Sequence, residues 1–492
     1  MITVNARYYC FSDAVFTLQF YSAVSYLLAR YILYGLQEIM AVKIAYLGYA
    51  ILPITFFLLF TRPSWMLPWT VLLSPFQAFS VINVYFGDFP IAVQPGYFVG
   101  TAFIISTMIK FLLNRRISFS RYFLSVCFPL LLFVGYAIIS AFVLPTLFKN
   151  AVVVHTPRGD YSLLQPGKMN YIYVVYMLFS FIFFFFASLT IIEDDWVRRT
   201  VIRAYIFSGF LISSIGIYQV ISWHLNLPYF DISNWHPLIG EDKLYLATWY
   251  GVKRLTSTFT EASTAGHYLS GVFAFSLGYC IFVHYTRRML ALLIISFISM
   301  ILTFSTTAYI TILAILLLVT LSNFFAKSFR KILPYAGALF VLCVLISFGS
   351  QILKFDLLDL ISSPLLNKTQ GGSFAGRTTA DLISLKLIIS TRGLGVGWGS
   401  NRASSLLLTV ISNAGWGAIL LLWFAKKMFM VYRKALHNPL VSLEQKGFLR
   451  SLGFHILAML IAGIVAVPDL QIVALWVGLS IFAGVAIKLF EI

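Results

Sequence analysis

The chain has 492 residues, of which 60% are hydrophobic and only 11% are charged, and its mean hydropathy is +0.89. Because soluble domains carry roughly a quarter charged residues, this composition excludes an ordinary soluble protein and predicts that most of the chain lies in lipid. The net charge is +18. In a membrane protein part of such an excess follows from the positive-inside rule, so we predict no nucleic-acid partner.

Apolar runs recur from end to end of the chain, each long enough to cross a bilayer as a helix. They predict an all-α polytopic protein that forms one membrane domain over residues 1–492. The first run contains Arg30 and is partly amphipathic, so whether it crosses is left open. The predicted spans, about fourteen in number, are 14–36, 42–60, 66–87, 92–113, 122–148, 171–192, 200–224, 264–285, 289–306, 308–325, 332–353, 404–424, 451–468 and 470–489.

Basic clusters fall in connections of one parity, which the positive-inside rule places in the cytoplasm together with both termini. Two long loops, 225–263 and 354–403, are then extracytoplasmic. These loops are themselves basic, although long loops can cross a membrane regardless of charge. An anionic ligand is the simpler explanation for cations on that side. The basic residues of the two loops are Lys243, Lys253, Arg254, Lys368, Arg377, Lys386, Arg392 and Arg402.

The first long loop ends in a motif that runs from Arg254 to Glu261, directly before the next span. We expect Thr260 to cap that helix and Glu261 to lie in its first turn, where a carboxylate stabilises the helix dipole and needs no other role. The functional alternative makes Glu261 a general base that takes a proton from an attacking hydroxyl. Arg254 would then hold a departing phosphate with its two-pronged donor geometry, although a lone interfacial arginine more often snorkels.

Two residues further along this helix are also candidates for contact with a substrate. At about 100° per residue, Tyr268 shares the helix face of Glu261, whereas His267 lies well around the helix from it. Both are included among the predicted substrate-binding residues.

The second motif begins at Gly376-Arg377 and predicts a turn followed by a short amphipathic helix, with Arg377 and Asp381 on its polar side. A surface ion pair between these two residues is the simple interpretation of that side. The predicted apolar side consists of Leu382, Leu385, Ile388 and Ile389.

A glycine-rich run follows this helix, from Arg392 through Gly393 and Gly395. Glycines let backbone N–H groups approach an anion closely, although such a run is also compatible with a flexible link. Together with Arg377, the run predicts a surface that binds the oxygens of a phosphate, and Arg402 is a further cation of the same loop. No pair of acids or histidines on the outer side has metal-ligand spacing, so we predict no metal site.

At these residues the chain resembles the family of bacterial O-antigen polymerases and O-antigen ligases. Members of that family are polytopic and carry an arginine-to-glycine signature in each of two major outer loops. Where the ligases share a histidine at the start of the helix after the second loop, this chain has Ser404, which favours a polymerase. The matching positions are Arg254, Phe259, Glu261 and Gly266 in the first signature, and Gly376, Arg377, Gly393 and Gly395 in the second.

The resemblance implies a metal-independent membrane glycosyltransferase with a C-type, all-helical fold and no cofactor. It would transfer a glycan from undecaprenyl diphosphate to a second lipid-linked repeat unit, with Glu261, Arg254 and Arg377 as catalytic residues. The expected location is the bacterial inner membrane, with the active site facing the periplasm or the exterior and a chain-length regulator as a possible partner.

Two alternatives stay open at this stage. One is a ligase-type transfer of finished polymer to a lipid or protein acceptor. The other, from a different class, is a flippase for lipid-linked oligosaccharides. Transporters usually keep ionisable residues deep in the helix bundle, whereas the acidic residues here fall in predicted loops or near span ends, which counts against proton coupling.

Overall fold

The computed structural model describes residues 39–86, 89–113, 120–157, 159–228, 248–249, 252–324 and 372–492. The predicted spans 14–36 and 332–353 lie outside the described residues. So do most of the loop 225–263 and the first part of the loop 354–403.

The described chain is mostly helical. Eight of its helical stretches are long and apolar enough to cross a membrane, which makes this a multi-pass membrane protein. The 3₁₀ turn Gly415–Gly417 lies between two helices that together form one such stretch, Leu406–His437. The helices are α1 Gly48–Thr61, α2 Met66–Leu73, α3 Pro95–Leu113, α4 Arg121–Leu147, α5 Lys168–Glu193, α6 Asp195–Leu225, α7 Ala262–Phe282, α8 Arg287–Leu302, α9 Thr306–Phe324, α10 Gly372–Ser390, α11 Leu406–Ala414, α12 Ala418–His437, α13 Leu443–Ala466 and α14 Val473–Phe490.

Short antiparallel sheets lie between some of the helices. The all-α prediction did not include these sheets. The largest has the strand order β1-β2-β3, and Val84 of its central strand pairs with Val42 on one side and Ile91 on the other. The strands are β1 Ile39–Ile44, β2 Ile82–Phe86, β3 Phe89–Val93, β4 Val153–His155, β5 Tyr161–Leu163, β6 Thr248–Trp249 and β7 Val252–Lys253.

The predicted span 66–87 is wrong as a single helix. Helix α2 covers only its first eight residues, a buried turn follows, and β2 begins at Ile82. Pro75 lacks the N–H that a continuing helix requires, and the following stretch is rich in β-branched and aromatic residues. Hydropathy alone does not distinguish a buried strand from a buried helix, so the apolar run 66–87 predicts a single span although it contains both.

Polar caps mark where several of the long helices begin. The side chain of Ser120 accepts from the N–H groups of Tyr122 and Phe123 at the start of α4, and Asp194 caps α6 in the same manner. Helix α13 starts with a capping box formed by Ser442 and Gln445. Such caps satisfy N–H groups that a helix leaves unpaired, and they fix the helix starts at the ends of the apolar runs.

The core of the bundle is built around α7. In its membrane-length window 89% of the residues are buried, and the corresponding value for α14 is 83%. Small residues allow this close packing, since a Cβ atom added at Gly271 would lie 2.6 Å from Nδ1 of His455 on α13. Helices α6 and α8 also pack on α7.

Helix directions define two ends of the bundle. The end of α6, the start of α7, the 303–305 connection and the 467–472 connection lie together, and we call this the arginine end. The start of α6, the end of α7, the start of α13 and the end of α14 meet at the opposite end. Arg254 and Arg402, which belong to the two loops predicted to be extracytoplasmic, lie at the arginine end.

Candidate functional site

The first motif is a buried strap that neighbouring elements hold in place. Residues 255–259 are fully buried. The side-chain oxygen of Gln219 on α6 accepts from the backbone N–H groups of Thr256 and Ser257 at 3.1 and 3.0 Å. The hydroxyl of Thr258 donates to the carbonyl of Pro75 at 2.8 Å. These contacts fix both ends of the motif, from which Arg254 and Glu261 extend.

Arg254 is oriented by main-chain carbonyls and not by an acid. Its guanidinium donates to the carbonyl oxygens of Thr303 and Phe304 at 3.1 and 3.2 Å. Burial lowers the pKa of Arg254, the neighbouring guanidinium of Arg377 lowers it further, and Glu261 and Tyr309 oppose the shift. The structure therefore brings both Arg377 and Glu261 within electrostatic reach of Arg254, although Arg377 comes from a segment far from the other two in sequence.

Glu261 is the residue that precedes α7, and the helix itself begins at Ala262. The expectation that Thr260 caps this helix and that Glu261 lies in its first turn is therefore wrong by one position. The backbone of Glu261 is extended and its side chain makes no capping hydrogen bond. The carboxylate is exposed and accepts from the hydroxyl of Ser263 at 3.0 Å. The carboxylate therefore makes no capping hydrogen bond, although at the N-cap it still lies beside the positive end of the helix dipole.

Arg377 lies near the start of α10, and the ion pair expected between it and Asp381 is not formed. Asp381 instead accepts from the N–H and the hydroxyl of Ser404, at 2.8 and 2.5 Å. Within the described residues neither Arg377 nor Arg254 has a carboxylate partner at ion-pair distance. Two neighbouring guanidinium groups, neither with a carboxylate at ion-pair distance among the described residues, are an arrangement that favours an anion.

The amphipathic helix α10 turns its apolar side outward. Its apolar residues Leu382, Leu385 and Ile389 are 52%, 45% and 78% exposed, whereas Ser384 is fully buried and accepts a hydrogen bond from Asn401 at 2.8 Å. In a soluble protein the apolar side would face the core. Beside a bilayer the outward side can be the apolar one, and the polar side then faces the protein.

Gly393 and Gly395 have a packing role. Their φ angles are +77° and +81°, and a Cβ atom on either would lie 2.6 Å from Trp416 or from the carbonyl oxygen of Asn413. Their N–H groups donate to the carbonyl of Ile388 and the hydroxyl of Thr391. In this conformation the N–H groups predicted to bind an anion are already used within the protein, and the run is a fixed turn rather than a flexible link.

Arg392 does not join the other arginines. Helix α10 ends at Ser390. Arg392 comes shortly after that residue, whereas Arg377 lies 13 residues before it. At 1.5 Å per residue this separates them by about 20 Å along the helix axis. Arg392 is exposed and adopts a left-handed backbone with φ +50°. A single diphosphate would not contact both Arg377 and Arg392.

Arg402 and Asp469 complete the charged site. Their side chains form an ion pair of 3.0 Å, with 36% and 30% of the side chains exposed. Asp469 raises the pKa of Arg402 above its ordinary value against the opposing effect of burial, and Glu261 acts in the same direction. Arg402 is therefore paired with Asp469 and lies within electrostatic reach of Glu261. We call Arg254, Glu261, Arg377, Arg402 and Asp469 the arginine site.

Sequence reasoning missed Asp469. The residue follows Pro468 in the short 467–472 connection between two predicted spans, and an acid retained at a span end was the available signal. The pairing of Asp469 becomes evident only in the fold, which brings the 467–472 connection beside Arg402.

His267 and Tyr268 are placed away from the arginine site. Both are buried in the bundle, with 2% of their surface exposed. The hydroxyl of Tyr268 donates to Ser208 on α6 at 3.0 Å, and the ring of His267 lies near Gly463 on α13. In this conformation neither side chain is exposed at the arginine site, and their contact with a substrate stays a prediction. Both residues belong to the interfaces between packed helices. Neighbouring helices enclose α7 on all sides, including the face that Tyr268 shares with Glu261.

The ion pair of Arg402 with Asp469 leads to a stability prediction. Asp469→Asn leaves a partly buried guanidinium without its partner, so we expect the free energy of unfolding to fall by about 1 kcal/mol. Adding Arg402→Gln to that variant should cause little further loss, because no charge is then left unpaired. Unfolding of the purified single and double variants in detergent measures the coupling. If the loss of stability in the double variant equals the sum of the losses in the two single variants, the two side chains are not paired.

No protein-family model matches the chain, and no curated protein is significantly similar to it. What stands is a multi-pass helical membrane protein with a cationic site at one end of its bundle. The resemblance to O-antigen polymerases rests on the short motifs alone.

Proposed function

We propose that the protein is a membrane glycosyltransferase that polymerises a polysaccharide from repeat units carried on undecaprenyl diphosphate. The observation that supports this proposal most is the juxtaposition of Arg254 and Arg377. These two cations come from separate segments, lack acidic partners among the described residues and share an electrostatic environment with Glu261. A diphosphate leaving group would neutralise the pair, and an interfacial position suits a lipid-linked substrate.

The proposed mechanism uses each group for one step. Glu261 accepts the proton of an acceptor sugar hydroxyl while that oxygen attacks the anomeric carbon of the donor. The bond between this carbon and the diphosphate oxygen breaks, and its electron pair remains on the diphosphate. Arg254 and Arg377 stabilise the developing negative charge, which is usually the largest catalytic contribution available. Arg402, held by Asp469, is a positioning residue that keeps a cation near Glu261.

The polymerase proposal is preferred to ligation because Ser404 is already bound by Asp381, in the place where the ligases carry a histidine. We place the arginine site on the periplasmic or exterior side of the inner membrane. The donor and the acceptor would then both be lipid-linked oligosaccharides.

Reconstitution tests the proposal directly. The purified protein in liposomes, supplied with lipid-linked repeat units, should give a ladder of products and release undecaprenyl diphosphate. A single transfer to a different lipid or protein acceptor would identify a ligase instead. Movement of the oligosaccharide across the vesicle membrane without bond formation would contradict the enzyme proposal and favour a flippase.

Glu261→Gln should reduce polymer formation by about 100-fold or more, because an amide does not accept the proton from the acceptor hydroxyl. The thermal stability of this variant should be nearly unchanged, since Glu261 makes no capping hydrogen bond. Ser263→Ala is the matched control, because it removes only the hydroxyl that donates to the carboxylate. Initial rates with purified donor and acceptor measure the effect. Near-normal activity of Glu261→Gln would exclude it as the base.

A further inference from the structure

A cavity lies at the opposite end of the bundle, remote from the arginine site. Its volume is about 400 Å³, within the range of about 300–1,000 Å³ that is usual for small-molecule sites. It opens where the start of α6, the end of α7, the start of α13 and the end of α14 meet. Sequence patterns do not predict this cavity, because the four contributing segments are far apart along the chain.

The cavity combines apolar walls with a charged mouth. Arg198 and Lys488 provide two cations, and Asp195 and Glu444 provide two carboxylates. Such a lining suits an amphiphile, whose apolar part contacts the walls while its head group meets the charges. The apolar lining residues are Ile202, Val283, Phe448, Val485 and Leu489.

The charges of the mouth are not equivalent. Arg198 is already engaged, since it donates to Asp195 at 2.7 Å and to the carbonyl of Ile191 at 3.3 Å. Lys488 has no hydrogen bond or ion-pair partner among the described residues, so its ammonium is available for a phosphate. The carboxylate of Glu444 is 70% exposed and lies 3.9 Å from the ring of His284, which leaves its oxygens available for a donor.

We propose that this cavity binds the head group of a phospholipid that carries both a phosphate and a primary ammonium, as an ethanolamine phospholipid does. Lys488 would contact the phosphate, and Glu444 together with Asp195 would accept hydrogen bonds from the ammonium. A primary ammonium offers three N–H donors, whereas a choline group offers none. The aromatic rings at the cavity, Tyr279 and Phe448, pack edge to face against each other and do not form a cage for choline.

A lipid with a net negative charge fits this mouth less well than a zwitterion does. Its second polar group brings no positive charge, so the carboxylates of Asp195 and Glu444 would repel it or remain unpaired. The two acids thus favour an ethanolamine lipid over a glycerol lipid, although both lipids carry the same phosphodiester.

Thermal unfolding of the full-length protein in lipid-free detergent tests the proposal. Added phosphatidylethanolamine should raise the melting midpoint by several degrees in a saturable manner, because it binds only the folded state. Phosphatidylglycerol and phosphatidylcholine should give smaller shifts at equal concentration. Lys488→Ala and Glu444→Gln should each weaken the apparent lipid affinity about tenfold, the usual effect of losing a hydrogen bond to a charged group.

Lys426→Ala is the matched control, since it removes a lysine of α12 that does not line the cavity, and its lipid response should be unchanged. If Lys488→Ala lowers the lipid-free midpoint, Lys488→Gln replaces it. Equal shifts from all three lipids, a larger shift with phosphatidylglycerol or phosphatidylcholine, or unchanged affinity in both cavity variants would overturn the proposal. The measurement involves no glycosyl transfer, so its outcome is independent of the proposed polymerase function.

Discussion

Arg377→Ala is expected to abolish polymer formation in the reconstituted system while leaving a folded protein. The initial rate should fall roughly 100- to 1,000-fold, as happens when one donor that stabilises a developing oxyanion is removed. The thermal stability should be unchanged or slightly higher, because Arg377 has no carboxylate partner among the described residues and its charge repels Arg254. A purely structural arginine would show the opposite pattern, with lower stability accompanying the lost activity.

Lys386→Ala provides the control for this prediction, since Lys386 lies exposed on the same helix, α10, and outside the arginine site. Its activity should stay within about twofold of the unmodified protein, as expected for a surface substitution. Arg377→Lys should be intermediate, because it keeps the charge but loses the planar fork. A normal product ladder from Arg377→Ala would remove this residue from the mechanism.

Gly415→Ala is expected to cause the largest loss of stability among single methyl additions considered for this chain. Gly415 has φ +53° and ψ −130°, and a Cβ atom there would lie 2.0 Å from the carbonyl oxygen of Gly393 and 2.4 Å from that of Leu394. These neighbours are backbone atoms, which do not move aside as a flexible side chain does. Strain and overpacking together should lower the free energy of unfolding by about 3–5 kcal/mol.

Gly135→Ala is the matched control, because nothing lies within 4 Å of a Cβ atom added at Gly135 in α4. That variant should be as stable as the unmodified protein or more stable by up to about 1 kcal/mol, since alanine is the better helix former. Unfolding of both variants in the same detergent gives the comparison. If the Gly415→Ala protein is as stable as the Gly135→Ala protein, the backbone at 393–394 moves aside at little cost and the predicted strain is absent.

Comparison of Gly415→Ala with Arg377→Ala also separates effects on the fold from effects on the site. Gly415 packs on the turn that leads from α10 to Arg402, and the N–H of Trp416 donates to the carbonyl of Gly393 at 2.9 Å. Displacing this turn should move Arg402 away from Asp469, so the Gly415→Ala protein should lose activity together with stability. Arg377→Ala should lose activity alone.

Much of the membrane architecture followed from the sequence. Helices α3 to α9 and α14 begin and end within a few residues of predicted spans, because a long apolar run has no stable alternative in lipid to a helix with its own hydrogen bonds. Helix α12 instead ends at His437, well beyond the predicted span 404–424, and α13 begins at Leu443, ahead of the predicted span 451–468. The segment 66–87 failed because α2 is followed by a turn and a hairpin that are equally apolar. Hydropathy measures transfer into lipid, and it carries no information on which backbone conformation satisfies the N–H groups.

The sequence by itself selected Arg254 and Arg377 because they are cations in predicted extracytoplasmic loops, where the positive-inside rule disfavours them, and Glu261 because it directly precedes a predicted span. Only the tertiary structure decided which charges share a site. It brought Arg377 to Arg254, added Asp469, placed Arg392 at the far end of α10 and buried His267 and Tyr268 inside the bundle. The reason is that burial cost is a property of each residue alone, whereas electrostatic coupling depends on distances that are set by how the helices pack.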